Sequence, residues 1–297
     1  MSTQPITLWQ RSLTRLHEVN RVALQWRLLL LWAVAILLPT ALLAVPFWQA
    51  LSALLDQTVN SAQWAQQLNG LVLIDVIGRL MENRAALANA GLAALILTLL
   101  LSPLVNGAVV AAHRADRPLP FAALLAGAGH TYGRMVRMLL WGIVPLGIAG
   151  GISTGVSELA KKYEAIAILE ANADLATQAA AVIGLVLLLL AQLTLDCGRA
   201  QLAAYPKRTS AIKAWWRGCR LLKAQFGSAL VYFLSLTALG LVLAAAITAL
   251  RIALPQLGVG WFVLGVILTE LAVIAVGWMR IARLVALIDL SHKQRSH

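Results

Sequence analysis

Charge is scarce in this chain. Asp, Glu, Lys and Arg make up 12% of its 297 residues and apolar residues 60%, against roughly 25% and 45–50% in soluble domains. A water-soluble core cannot hide that much apolar surface behind a polar exterior, so an ordinary soluble domain is excluded and lipid must solvate part of the chain. Cysteine is nearly absent. Cys197 and Cys219 are too few for a disulfide framework or a metal cluster, and both read as small apolar residues on a reducing side of the membrane. Phe and Tyr are sparse, but there are ten Trp, a residue that favours the membrane–water interface. Signatures of catalysis are wanting too: no P-loop, no H-E-x-x-H, and no Cys/His set with metal-ligand spacing. Neither catalytic residues, nor a cofactor, nor a metal is therefore expected.

What the chain has in plenty is long apolar runs. Spanning a bilayer core as a helix takes about 20 predominantly apolar residues, and six stretches qualify, at about 28–51, 88–112, 136–157, 178–200, 227–250 and 259–286. The first is longer than a signal-peptide core of about 7–15 residues and reads as an anchor that stays. Segment 52–87 mixes Asp56, Asp75, Arg79, Glu82 and Arg84 with apolar residues, and is expected as an amphipathic helical excursion on the outer side. The expected fold is therefore an all-α polytopic membrane protein. It has a basic amphipathic helix over 1–27, a six-helix membrane domain over 28–290 and a short tail over 291–297.

The net charge of +12 would point a soluble protein towards nucleic acid, but its distribution points to topology instead. Of the 24 basic residues, 19 fall in the N-terminal segment, the second and fourth connections and the C-terminal end. Cytoplasmic connections carry the excess of Lys and Arg, so both termini are expected to be cytoplasmic. No nucleic-acid partner is expected.

Two stretches align without a gap, one starting at Leu104 and one at Leu195. Gly107 then meets Gly198, Gly127 meets Gly218, and Leu139 meets Leu230. "RLLLLWAV" from Arg27 echoes "RMLLWGIV" from Arg137. These matches predict a threefold internal repeat, each unit being a basic helix, an outward span and a return span.

Three groups of residues stand out as candidate sites. The first is "SAIKAWWRGCRLLKAQ", where Ile212, Trp215, Trp216, Cys219 and Leu222 recur at three- and four-residue steps, with Lys213, Arg217 and Arg220 opposite and Lys223 at the border. Such a basic amphipathic helix suits the interface with anionic lipid, or a docking surface for a protein partner on the cytoplasmic face. The second is polar residues inside spans, which are functional candidates because burying polarity in lipid is costly. Glu270 lies near the middle of span six, Asn106 one turn after Pro103 in span two, and Gln192 in span four. Turned inward, the three would line a polar cavity. The third is Asp196 and Arg199, an i, i+3 pair where span four stops, expected to neutralise each other while Arg199 snorkels to the headgroups.

The Asp-x-x-Arg of "DCGRA", the break containing Pro206 and Ser210, and the helix "AIKAWWRGCRLL" together resemble bacterial six-span proteins similar to the membrane domain attached to some glycerophosphodiester phosphodiesterases. The resemblance implies a multi-pass protein of the bacterial inner membrane in lipid, envelope or transport-accessory work. Family members often carry an aromatic where this chain has Cys197, and segment 52–87 has no counterpart among them. No phosphodiesterase domain is present, so that chemistry does not carry over. Three functions remain open on the sequence: a lipid-binding or scaffolding protein without a catalytic site, a small transporter with a polar site near Glu270, or a lipid-modifying enzyme.

Overall fold

The computed structural model describes residues 21–55, 70–115, 117–167, 169–205, 209–254 and 258–293. Eight helices account for nearly all of them, and no strand occurs among the described residues. They are α1 (Trp26–Leu55), α2 (Gly70–Glu82), α3 (Arg84–Arg114), α4 (Phe121–Glu164), α5 (Glu170–Ala204), α6 (Ala211–Ala224), α7 (Phe226–Ala253) and α8 (Val259–Lys293). Six of these, all but α2 and α6, are long and apolar enough to cross a membrane, which marks a multi-pass membrane protein. Their protein-free surfaces carry residues such as Leu99, Ile143, Val186, Leu241 and Val266, the apolar surface that lipid solvates. Most of the basic helix expected over 1–27, much of the excursion and most of the tail lie outside the described residues. Within the excursion, Gly70–Glu82 is helical, with Leu73, Ile74, Ile77 and Met81 exposed along one side.

The packed core sits towards one end of the bundle. Fully buried residues cluster at 105–112, 193–204, 229–236 and 279–291, together with Leu124, Ala128, Met135 and Met138. We call this the basic end, because Arg114, Arg134, Arg137, Arg199, Arg280 and Arg283 all belong to it. From Ile281 to Ile288 every residue of α8 is buried, so this part of the helix forms a central post among α1, α3, α5 and α7. That is why α8 runs on to Lys293, past the expected end of span six near 286. Arginines tie the connections to the helix ends here. Arg114 donates to the Ala203 carbonyl, Arg134 to Tyr205 and Arg137 to Thr209. Cations bonded to carbonyls at a helix C-terminus satisfy orphan acceptors and oppose the helix dipole.

The sequence predicts a short helix and then a span in both aligned stretches. In the second stretch Gln225, at φ −131°, separates α6 from α7. In the first the two merge into α4, 44 residues long. Gly227 and Ser228 follow the break at Gln225 where the first stretch has Val136 and Arg137, but that stretch carries its own Gly133 and stays helical, so propensity alone does not account for the difference.

Glycines permit the closest crossings. A Cβ on Gly218 of α6 would stand 2.7 Å from the Gly198 nitrogen and 2.8 Å from the Cys197 carbonyl carbon. Backbone atoms cannot step aside as a side chain can. Gly218→Ala is therefore expected to lose about 1–3 kcal/mol through overpacking. Gly129→Ala, whose Cβ meets open space within a helix, should be neutral or slightly stabilising. Thermal unfolding in detergent checks this, and equal midpoints for the two variants would contradict the crossing.

Candidate functional site

Asp196 is the hinge of the arrangement. It lies near the basic end of α5 with only 6% of its surface exposed. Its carboxylate is held on both oxygens: Oδ1 accepts from Arg199 Nη1 and from Gln192 Nε2 (3.3 Å), and Oδ2 lies 3.5 Å from Arg283 Nη2. Arg199 and Gln192 are one turn away on the same helix, as the i, i+3 and i, i+4 spacing dictates. Arg283 comes from α8 and is itself 7% exposed. Its Nη1 donates to Thr237 Oγ1 of α7 at 3.1 Å, and its guanidinium sits 4.6 Å from the Phe233 ring centre. A cation over an aromatic face gains electrostatic stabilisation when desolvated. One arginine thus joins α5, α7 and α8, while its Nε keeps no hydrogen-bond partner.

These groups border a cavity of about 440 Å³ between α3, α4, α5 and α8. Its polar wall is Ser102, Asn106, Gln192, Asp196 and the three arginines Arg199, Arg280 and Arg283. Arg280 stands one turn before Arg283, exposed, and forms no hydrogen bond or ion pair among the described residues. Three guanidiniums therefore share this cavity with one lining carboxylate, Asp196, which pairs with Arg199 and Arg283. Excess positive charge in a low-dielectric surround is costly unless an anion or water meets it. Arginine is also the side chain best shaped to bind phosphate or carboxylate oxygens bidentately.

The structure brings some of the expected residues together and leaves others apart. Asn106 and Gln192 line this cavity, Asn106 donating Nδ2 to the Ser102 carbonyl at 2.9 Å. Glu270 does not join them. It is half-buried elsewhere on α8 and does not border this cavity. Asp196 and Arg199 form the expected pair, Asp196 buried and Arg199 half-buried, and both line the cavity. Arg280 and Arg283 appeared in the sequence only as topology-setting charge. One sign of their role was available: Leu284 to Ile288, which follow Arg283 within the same helix, are all apolar, so packing continues past the arginines.

On α6 the pattern resolves into three sectors. Ser210 caps the helix by accepting from the Lys213 amide. Ala211, Ala214, Gly218, Leu221 and Leu222 pack on the bundle. Trp215 joins that sector, donating Nε1 to Thr194 Oγ1 at 3.1 Å and meeting Trp141 edge-on. Trp216, 56% exposed, and Ile212 face away from protein, beside the exposed Lys213, Arg217, Arg220 and Lys223. Cys219 is half-buried, and burial pushes its thiol pKa up, so it stays protonated at neutral pH.

Among the described residues no group of three or more His, Cys, Asp or Glu is placed to hold a metal ion. Gly151–Gly155 reads G-x-S-x-G, but Ser153 lies inside α4 where Gly184 of α5 crosses closely. That motif needs its serine on a sharp strand-to-helix turn, so the string carries no catalytic geometry here. No known family, curated protein or solved structure matches the chain.

Proposed function

We propose that the protein is a non-catalytic lipid-binding protein of the bacterial inner membrane. Its cationic cavity receives an anionic headgroup at the cytoplasmic end of the bundle. The observation that carries this is the surplus of Arg199, Arg280 and Arg283 over Asp196 around one cavity. The likeness of "DCGRA" and the helix after it to the membrane domain of glycerophosphodiester phosphodiesterases supports a role in lipid, envelope or transport-accessory work. The concentration of Lys and Arg in alternate connections supports cytoplasmic termini. It also supports placing α6 in the inner leaflet interface, with Ile212 and Trp216 towards the acyl region and Lys213, Arg217, Arg220 and Lys223 towards anionic headgroups. The same charged sector suits an acidic protein partner.

The repeat draws support from four glycines. Gly107 and Gly127 stand at the α3–α4 crossing, the aligned Gly198 and Gly218 at the α5–α6 crossing, and a Cβ on any of them would press on the neighbouring helix. The transporter alternative rests on Glu270, which lies outside the cationic cavity.

Lipid identification after gentle detergent purification tests the proposal. A phosphate-bearing anionic lipid retained in roughly stoichiometric amount is expected. Retention of only zwitterionic lipids, in the proportions of the host membrane, would overturn it.

A further inference from the structure

A second cavity adjoins the cationic one. It encloses about 530 Å³ between α1, α3 and α8, a size typical of small-molecule pockets (about 300–1,000 Å³). Its walls are mostly apolar, with Trp32, Ile36, Leu43, Leu95 and Val105 among them. Two of the three hydroxyls that line it are occupied, Thr40 donating to the Ile36 carbonyl at 2.9 Å and Thr98 to the Ala94 carbonyl at 2.8 Å, and the third, Ser102, stands at its polar end. Such walls offer water few hydrogen bonds and offer a hydrocarbon chain continuous contact.

The two cavities share Ser102, Asn106, Arg280 and Leu284. Arg280 thus stands at the junction of an apolar slot with a cationic chamber. On α3 the slot extends from Gly91 to the shared Asn106, a separation of about 22 Å along the helix axis. One leaflet of a bilayer is roughly 15 Å deep, half of the ~30 Å hydrocarbon core. The exposed Thr40 of α1 and Leu95 and Thr98 of α3 form one side of the slot, so it opens laterally, onto the surface that lipid covers.

We infer that the two cavities are one site for a long-chain anionic lipid. The headgroup lies among Arg199, Arg280 and Arg283, and one acyl chain threads the slot between α1, α3 and α8. This rests on the headgroup proposal above and adds that the ligand is held inside the bundle by its chain. A water-soluble anion would use only the polar half, and a lipid at the protein's perimeter would use neither.

The experiment compares two phosphatidylglycerols of identical headgroup, one with sixteen-carbon and one with six-carbon chains, binding to delipidated full-length protein. Gly91 lines the slot and a Cβ there meets nothing within 4 Å, so Gly91→Phe is accommodated at its Cβ and is expected to fill part of the slot. Gly155→Phe points into open space and lines neither cavity, and serves as the control. Gly91→Phe is expected to weaken the long-chain lipid by at least about tenfold, the equivalent of two buried methylenes. The short-chain lipid should change by less than about twofold, and Gly155→Phe should change neither. Unchanged long-chain binding in Gly91→Phe, or equal loss of both lipids, overturns the threaded chain while leaving the headgroup proposal standing. Wild-type protein that binds neither lipid better than its phosphatidylcholine counterpart overturns both.

Discussion

Replacing Asp196 with Ala is expected to destabilise the folded protein by about 3–5 kcal/mol, the cost of removing one partner from a buried ion pair. Asp196 pairs with both Arg199 and Arg283, and both Asp196 and Arg283 are buried. Without it, Arg283 keeps Thr237 and the Phe233 ring but loses its counter-charge. Arg199 can turn towards the cavity, whereas Arg283 is fixed among α5, α7 and α8. The expected fall in unfolding midpoint is roughly 10 °C, at about 2–4 °C per kcal/mol for a chain of this size. Asp196→Ala combined with Arg283→Met should recover a substantial part of that loss, because no stranded cation remains and the new side chain fills the space. A single variant as stable as the wild type, or a double variant less stable than the single, would contradict the buried triad. Thermal unfolding in one detergent, with helix content as the readout, makes the comparison.

The second large effect concerns binding. Arg199→Gln and Arg280→Gln should each weaken an anionic lipid by about tenfold or more, since a charge-assisted hydrogen bond contributes about 1.5 kcal/mol or more. Arg280 is the cleaner probe. It makes no hydrogen bond or ion pair among the described residues, so removing its charge leaves the fold intact and changes only what the cavity attracts. A zwitterionic lipid of the same chains should respond little to either substitution. Arg283→Gln mixes both effects, because the same side chain joins three helices, and its loss should lower stability together with affinity.

The spans were legible because lipid imposes a length and a composition that no soluble context mimics, and all six predicted stretches fall within long helices. The Asp196–Arg199 pair was legible because it is local, one turn of one helix. Its meaning was not. The third member, Arg283, lies far along the chain from Asp196 and meets it only through packing of α8 on α5. Charge counting read Arg280 and Arg283 only as part of the basic C-terminal end, since topology rules read position along a span and not which face of a helix meets another. Trp215 shows the same limit. An amphipathic pattern separates apolar from polar phases but cannot say whether the apolar phase is lipid or protein, and Trp215 turned to protein while Trp216 did not. Gln225 breaks one helix where α4 runs on, a difference that the alignment of the two stretches does not show.

The central claim, that Arg199, Arg280 and Arg283 form an anionic-headgroup site, is tested most directly by competition. Delipidated protein is offered equal amounts of phosphatidylglycerol and phosphatidylcholine with identical chains, and the bound lipid is weighed by native mass spectrometry. One phosphatidylglycerol per protein is expected to dominate in the wild type and to lose that preference when Arg199 and Arg280 are both replaced by Gln. Equal binding of the two lipids by the wild type, or a preference that survives the double substitution, would contradict it.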